Sequence, residues 1–334
     1  MAICRQWHVV SEPTGMVEPG NFALVERDLP DLAEGEVRVR NLFLSVEPAM
    51  RSMMYNVADY PMGLEFNAPL WGRAVGLVEQ SRSDDLAEGD LVFHYQGWRD
   101  VAQGPAAGFE KLPVEPGDKP EMFLSALGMP GVTAYFGLTE VGLPVAGETI
   151  FVSAAAGSVG STVVQIAKAL GLRVIGSAGG PAKCDLVRSL GADVAIDYRQ
   201  GDLQQQLRQA APEGLNIYFD NVGADHLDAA LGNAATHARF VACGMIDTYN
   251  LKTHDQKVCF GNMMMIIAKQ ITLRGFIVNA FEHRIGECRA RMREWLADGS
   301  IRPLMTIDEG LENTPKTFIG LFEGRNTGKA LVRV

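Results

Sequence analysis

The sequence lacks any apolar stretch long enough to cross a membrane, and its first residues lack the apolar segment of a secretory signal. We therefore expect a cytoplasmic protein. Positive charge is outnumbered by negative charge, with 30 Lys and Arg against 40 Asp and Glu and a net charge of −10. This balance argues against nucleic acid as a partner. Hydrophobic residues make up 47% and charged residues 21% of the 334 residues, which is typical of a globular protein and long enough for two domains.

Cysteine is scarce and scattered. The five cysteines are Cys4, Cys184, Cys243, Cys259 and Cys288, and no two of them have C-x-x-C spacing. Their odd number and irregular spacing predict free thiols and argue against a disulfide framework or a structural zinc site. We interpret each as a small buried apolar residue and not as a nucleophile.

The most informative motif is a glycine-rich turn that follows an apolar strand over 149–153. It reads Ala155-x-Gly157-x-x-Gly160, with alanine where the usual dinucleotide fingerprint has its first glycine. Such a turn aims backbone N–H groups and the positive end of a helix at a phosphate. Helical spacing over 162–170 and a second apolar strand over 172–176 complete the βαβ unit that this motif requires. The sequence therefore predicts a nucleotide site.

The end of the second strand indicates which nucleotide is bound. NAD enzymes usually place an acidic residue about 20 residues past the glycines, where it binds the ribose hydroxyls. The stretch over 176–183 has no carboxylate but contains Ser177 and Lys183. Because an acid would repel a 2′-phosphate and a lysine attracts it, this pattern favours NADP(H). The alternative is that Lys183 is a solvated residue at the start of the next helix.

The hydrophobic pattern changes near residue 125. Before that point, short apolar runs separated by turn residues predict a barrel-like β domain, with candidate strands over 22–27, 36–45, 74–79 and 90–93. Beyond it, strand-like runs alternate with helical ones, which indicates a doubly wound parallel sheet. The predicted strands cover 149–153, 172–176, 193–196, 215–219, 239–243 and 271–277. A last β segment over 329–334 could return to the first domain. The apolar stretch over 261–268 predicts a core helix or a subunit contact.

Together these segments resemble the zinc-independent medium-chain dehydrogenases/reductases, specifically the group of prostaglandin reductases, plant double-bond reductases and bacterial curcumin reductases. The matching segments are LSVEPAMR (44–51), GMPGVTAYFG (128–137), AAAGSVG (154–160), YFDNVG (218–223), CGMIDTYN (243–250), GFIV (275–278) and NTGK (326–329). The resemblance implies a GroES-like β-barrel domain over 1–125 and 301–334, a Rossmann domain over 126–300 and a homodimer. It also implies NADPH-dependent reduction of the C=C bond in small apolar α,β-unsaturated ketones and aldehydes.

The same resemblance implies roles for individual residues. The turn residues Gly157, Ser158, Val159 and Gly160 would lie at the pyrophosphate, and Lys183 and Tyr198 would hold the 2′-phosphate. The residues expected to line the rest of the cofactor channel are Asn221, Cys243, Gly244, Met245, Ile246, Tyr249, Phe276, Ile277, Val278 and Asn326. Tyr249 is the predicted catalytic residue, because a hydroxyl donor aimed at the carbonyl oxygen stabilises an enolate.

Two departures bear on the chemistry. The family often has tyrosine where this chain has Ala49, which leaves room near the substrate; Tyr55 is a nearby substitute or a packing residue. Zinc alcohol dehydrogenases take one metal ligand from a Gly-His-Glu motif, but the corresponding place here contains Gly72 and Arg73. We therefore expect no catalytic metal. Quinone reduction with the same hydride donor, or a low-turnover NADPH sensor, remain alternatives.

Overall fold

The structure, a computed structural model, describes residues 2–54, 65–251 and 259–334, so Tyr55 lies outside the described residues. The strands in these ranges are β1 Ala2–Val9, β2 Phe22–Leu29, β3 Glu36–Ser45, β4 Ala68–Pro69, β5 Ala74–Ser81, β6 Leu91–His94, β7 Val101–Pro105, β8 Phe109–Lys111, β9 Thr149–Val152, β10 Arg173–Ala178, β11 Val194–Asp197, β12 Leu215–Asp220, β13 Ala234–Ala242, β14 Thr272–Gly275, β15 Met305–Glu309 and β16 Lys329–Arg333.

The helices surround and connect these strands. They are α1 Met50–Met53, α2 Met129–Phe136, α3 Ser158–Ala169, α4 Pro181–Ser189, α5 Leu203–Ala210, α6 Ala224–Leu231, α7 Met264–Ala268, α8 Ile285–Ala297 and α9 Thr314–Phe322. A π-helical turn, Gly137–Gly142, continues α2.

Six strands form one parallel sheet in the order β11-β10-β9-β12-β13-β14. This is the doubly wound Rossmann order, in which the chain reverses direction across the sheet between β9 and β12. All six strands predicted from the sequence are present in it. Strand β12 reads Leu-Asn-Ile-Tyr-Phe-Asp, and its three central apolar residues are completely buried. A continuous apolar run of this kind is required where helices cover both faces of a sheet.

The β-rich first third forms two further sheets. One has the order β2-β1-β4, and the other has the order β15-β16-β3-β5-β6-β8 with β7 also paired to β3. The predicted strands over 22–27, 36–45, 74–79 and 90–93 correspond to β2, β3, β5 and β6. Strand β16 pairs with β3, so the C-terminal segment returns to the N-terminal sheet as expected. The predicted fold class, a β domain combined with a Rossmann sheet, is confirmed.

Two predictions need correction or qualification. The core-helix interpretation of 261–268 is wrong, because α7 has no buried residue and Ile267 is 73% exposed. The five cysteines are free thiols, but Cys259 is exposed and Cys243 is half-buried, so the buried interpretation holds for the other three. Helix α3 begins at Ser158, within the glycine motif, so the helix follows the turn as the motif predicts. No helix in the described ranges has both the length and the apolar character needed to span a membrane.

The two parts of the fold meet at the glycine turn. Gly328, immediately before β16, donates its backbone N–H to the carbonyl oxygen of Ala156 at 2.8 Å and forms a parallel bridge with Gly157. Gly328 has a φ of 66°, and a Cβ there would lie 2.0 Å from the carbonyl oxygen of Leu304. Glycine is therefore required at this junction, which sets the N-terminal sheet against the nucleotide turn.

Candidate cofactor and substrate site

A cavity of about 1210 Å³ lies where the parallel sheet faces the N-terminal β domain. Its wall combines the segments that follow β9, β10, β11, β12 and β13 with residues around α1, Trp71 and the start of β16. Ligands of doubly wound folds bind at this place, outside the carboxyl ends of the strands where the strand order reverses. The cavity is large enough for a dinucleotide and a small substrate together.

The glycine turn has the geometry of a phosphate cradle. Ala154 has a left-handed φ of 48°, and a Cβ on Gly160 would lie 2.3 Å from its carbonyl oxygen. Glycine at 160 therefore allows α3 to begin close against the turn. The hydroxyl of Ser158, the first residue of α3, is buried and has no hydrogen-bond partner among the described residues. An unpartnered donor at a helix N-terminus fits a phosphate oxygen.

A pair of cations lies beside the turn. A Cβ on Gly324 would lie 3.7 Å from Nη2 of Arg199 and 3.8 Å from Nζ of Lys183, so the two cations lie close together. Burial and, secondarily, the positive charge of Arg199 lower the pKa of Lys183. A Cβ on Gly179 would lie 2.9 Å from both the hydroxyl of Tyr198 and Nε of Arg199, so glycine allows these side chains to close over the end of β10. Two neighbouring cations and a phenol fit a terminal phosphate. The sequence did not predict a role for Arg199 in binding the cofactor. Its position next to Tyr198 in the chain was the one indication of such a role.

Ser177 and Met245 do not line the cavity. Ser177 is completely buried, its hydroxyl has no partner among the described residues, and its carbonyl oxygen accepts the N–H of Ala155 at 2.8 Å. Ser177 therefore stabilises the glycine turn through this backbone hydrogen bond and does not face the cavity. Met245 is 40% exposed and lies against Gly223. The other predicted residues line the cavity: Gly157, Ser158, Val159, Gly160, Lys183, Tyr198, Asn221, Cys243, Gly244, Ile246, Tyr249, Phe276, Ile277, Val278 and Asn326.

A buried network positions Asn221 after β12. Oδ1 of Asp220 accepts the hydroxyl of Tyr218 at 2.7 Å and the N–H groups of Val222 at 2.9 Å and Gly223 at 2.8 Å. The amide Nδ2 of Asn221 donates to the carbonyl oxygen of Ser153 at 2.8 Å. Asp220 thereby fixes the loop that carries Asn221, and Asn221 lines the cavity. Asp220 was not singled out from the sequence.

Tyr249 and Cys243 lie on the segment after β13. Tyr249 follows a short 3-10 turn, Ile246–Thr248, and its hydroxyl oxygen accepts the N–H of Met245 at 3.4 Å. Tyr249 lines the cavity, so its phenol lies in the wall that a bound cofactor and substrate would face. Burial raises the pKa of Cys243 to about 12, so its thiol stays protonated and is a poor nucleophile.

Three charged side chains occupy the wall nearest the N-terminal domain. Glu47 pairs with Nη1 of Arg73 and lies 3.5 Å from Nζ of Lys329. The two cations, Lys329 first, outweigh the desolvation of Glu47 and lower the pKa of its carboxyl group, whereas burial lowers the pKa of Lys329 to about 8. Arg73 stands where zinc dehydrogenases would have their Gly-His-Glu histidine. Across the described ranges, no three His, Cys, Asp or Glu side chains come together as a metal site.

Comparison with known proteins places the chain among oxidoreductases. Residues 5–112 match the N-terminal domain of oxidoreductase, and residues 158–297 match the zinc-binding dehydrogenase family. The chain is 39% identical to the NADPH-dependent curcumin reductase of Escherichia coli, covering 99% of this chain and 96% of the relative. It is 35% identical to mouse prostaglandin reductase 1 over the whole of both chains. The crystal structure of CurA from Vibrio vulnificus in complex with NADPH superimposes with a TM-score of 0.93 at 39% identity, covering 99% of each chain.

Proposed function

This chain belongs to the zinc-independent medium-chain dehydrogenases/reductases, and from that membership we propose that it reduces the C=C bond of α,β-unsaturated ketones and aldehydes with NADPH. The observation that carries the proposal is the meeting, in one cavity, of a phosphate-binding glycine turn, a two-cation pocket and the hydroxyl of Tyr249. Relatives named as NADPH-dependent curcumin reductase and NADP(+)-dependent 2-alkenal reductase support the reaction class.

The cofactor would be held along the carboxyl ends of the strands. Gly157 to Gly160 offer backbone N–H groups and the Ser158 hydroxyl to the pyrophosphate. Lys183, Tyr198 and Arg199 bind the 2′-phosphate, which NADH lacks, and this is the physical basis of the NADPH preference. When bound, NADPH supplies the hydride that the β-carbon of the substrate receives.

The protein residues stabilise the charge that this transfer creates. As the β-carbon gains the hydride, the electron pair of the C=C bond moves toward the carbonyl oxygen and forms an enolate. Tyr249 donates its hydroxyl proton in a hydrogen bond to that oxygen, directly or through a ribose hydroxyl of the cofactor. Water then delivers the proton to the α-carbon, so no strong acid is needed in the wall.

The remaining contacts form the channel. We assign cofactor contact to Asn221, Cys243, Gly244, Ile246, Tyr249, Phe276, Ile277, Val278 and Asn326, and an indirect role behind the turn to Ser177. The backbone N–H of Met245 donates to the hydroxyl oxygen of Tyr249, so we assign Met245 the role of positioning that tyrosine and no direct cofactor contact. The domain division that we propose is 1–125 with 301–334 for the substrate domain and 126–300 for the cofactor domain.

A homodimer is part of the proposal. Strand β14 ends the parallel sheet, all four of its residues are exposed, and an unpaired edge strand accepts another chain readily. Three large apolar side chains are also exposed: Met264 at 67%, Ile267 at 73% and Ile277 at 74%. Exposed apolar side chains together with an open sheet edge favour association. We also propose a cytoplasmic location, which the five free thiols support.

The test is a panel of enones, alkenals and quinones, each assayed with NADPH and with NADH. We expect enone- and alkenal-dependent NADPH oxidation, a product saturated at the C=C bond, and a much lower rate with NADH. Turnover of quinones alone would instead assign quinone reduction. NADPH binding without turnover of any acceptor would assign a sensor.

A further inference from the structure

The cluster formed by Glu47, Arg73 and Lys329 carries more positive than negative charge. Glu47 is 5% exposed and Lys329 is 3% exposed, whereas the side chain of Arg73 is 14% exposed. All three residues line the cavity. One carboxylate and two cations leave a surplus of one positive charge in a largely dry wall, where a charge without a partner is costly.

Lys329 is placed to neutralise Glu47 without help from Arg73. Its Nζ lies 3.5 Å from Oε1 of Glu47 and donates to the carbonyl oxygen of Val46 at 3.1 Å. The hydroxyl of Ser45 donates to the same Oε1 at 2.5 Å. Glu47 therefore keeps a cation and a hydrogen-bond donor even when part of the Arg73 guanidinium binds a ligand.

Two aromatic rings fix the orientation of Arg73. Its Cζ lies 5.1 Å from the ring centroid of Trp71 and 5.6 Å from that of Tyr95. The two rings stack on each other with centroids 5.1 Å apart and planes 15° apart. Within the described ranges, the side chain of Arg73 donates to Glu47 through Nη1. The other guanidinium N–H groups are thus held in a set plane and remain available to a ligand in the cavity.

We propose that Arg73 is a further catalytic residue, which donates a hydrogen bond to the carbonyl oxygen of the substrate and stabilises the enolate. The inference rests on the proposed function, since the negative charge on that oxygen develops only as the β-carbon receives the hydride. The electron pair displaced from the C=C bond is then shared with a carbonyl oxygen that faces a preformed cation. A preorganised donor in a site with little water stabilises such a charge far more than water does.

Ala49 widens the same cavity. It lines the cavity at the position where the resembling family often has tyrosine, and it lies two residues from Glu47. The small side chain leaves room in the cavity wall, which a phenol at this position would occupy. Tyr249 and Arg73 would then approach the carbonyl oxygen as two donors from opposite parts of the fold.

The experiment compares Arg73→Met, Arg73→Lys and Arg73→Gln with the wild type on one neutral aryl enone. We expect Arg73→Met to lower kcat by roughly a hundredfold or more, as loss of one donor to an oxyanion does. The Kd for NADPH, measured by fluorescence, should change less than about twofold, within ordinary scatter for an untouched site. Arg73→Lys should recover part of the loss because it keeps the charge, and Arg73→Gln should recover less.

Arg40→Met is the matched control. Arg40 is an arginine of the same domain that pairs with Glu79 at the surface, 55% exposed and outside the cavity wall, so its loss should leave kcat unchanged. A substrate series extends the test: enones whose enolates are already stabilised by electron-withdrawing groups should depend less on Arg73. A merely structural role would not produce that trend.

Three results would overturn the inference. They are a kcat for Arg73→Met within twofold of the wild type, a loss confined to NADPH binding, and a rise in KM limited to substrates that carry a carboxylate. The two failures can be told apart. If the wild type reduces no enone, the proposed function is wrong. If the wild type and Arg73→Met reduce the enone equally well, only the role of Arg73 is wrong.

Discussion

The Nζ of Lys183 donates to the backbone carbonyl oxygen of Asn326 at 2.7 Å and to that of Gly324 at the same distance. A cation beside the end of β10 thus also holds the loop that leads into β16. This loop carries Gly328, which is bonded to the glycine turn. Lys183 therefore joins the phosphate pocket to the C-terminal return of the chain, and its substitution should have two effects where that of Arg199 has one.

The first prediction separates those effects. Arg199→Met should weaken NADPH binding by roughly tenfold, because a charge-assisted hydrogen bond contributes on the order of 1.5 to 3 kcal/mol, and should barely change NADH binding. Lys183→Met should weaken NADPH binding and also lower Tm, because two carbonyl oxygens lose their donor. Fluorescence titration with both cofactors and thermal unfolding measure these quantities. Lys168→Met, which removes a half-exposed pair with Asp193, is the control. An unchanged preference for NADPH over NADH in Arg199→Met would refute the assignment of Arg199 to the 2′-phosphate pocket.

The second prediction concerns Tyr249. Tyr249→Phe should lower kcat on an enone by about tenfold or more, because the oxygen of the enolate loses a donor, while the affinity for NADPH stays close to that of the wild type. Tyr135→Phe serves as the control, since the Tyr135 hydroxyl contacts Glu287 on the surface of α8. If steady-state kinetics of Tyr249→Phe match those of the wild type, the catalytic role is wrong.

The third prediction concerns acid stability and His226. Burial lowers the pKa of His226 to about 4 and that of His94 to about 3. The unfolded chain binds a proton at each histidine near pH 6.5, but the folded protein does not, so stability falls as pH drops from about 6.5 toward 4. Each histidine contributes a slope of up to about 1.4 kcal/mol per pH unit.

Substituting His226 isolates one of these two contributions. Its Nε2 is buried without a partner among the described residues, and its ring packs on Phe151 and Tyr198. His226→Phe should therefore raise stability at pH 5 and reduce the slope, since one fewer proton is bound on unfolding. Free energies of unfolding in urea between pH 4.5 and 7.5 provide the measurement. Equal slopes for variant and wild type would contradict this account.

The fourth prediction tests the association face. Ile267→Asp places a charge among the exposed apolar side chains of α7, and it should convert a dimer to a monomer in size-exclusion chromatography with light scattering. Ile3→Asp changes an isoleucine that is 56% exposed on β1 and should leave the dimer intact. A dimer that survives Ile267→Asp, or a monomeric wild type, would refute the proposed interface.

Some helices and strands could be predicted from the sequence for physical reasons, and others could not. Strands such as β12 were predicted because a strand covered on both faces must be apolar throughout, and such a run is visible in the sequence. Helix α3 begins within the glycine motif at Ser158, ahead of the apolar periodicity over 162–170, so the motif and not the periodicity marks its first turn. The backbone geometry of Gly157, and not side-chain pattern, begins that helix. The core interpretation of α7 failed because burial depends on a neighbour, and none of its residues is buried in this chain.

The sequence by itself determined the parallel sheet, the glycine turn, the lack of an acid after β10 and hence the choice of a phosphorylated cofactor, because each depends on residues close together in the chain. Only the tertiary structure decided which distant residues meet. It brought Arg199 beside Lys183, tied Gly328 to the glycine turn and joined Glu47, Arg73 and Lys329 from three strand ends. Local periodicity and turn chemistry can be read along a chain, whereas the proximity of charges far apart in sequence is fixed only when the sheets pack.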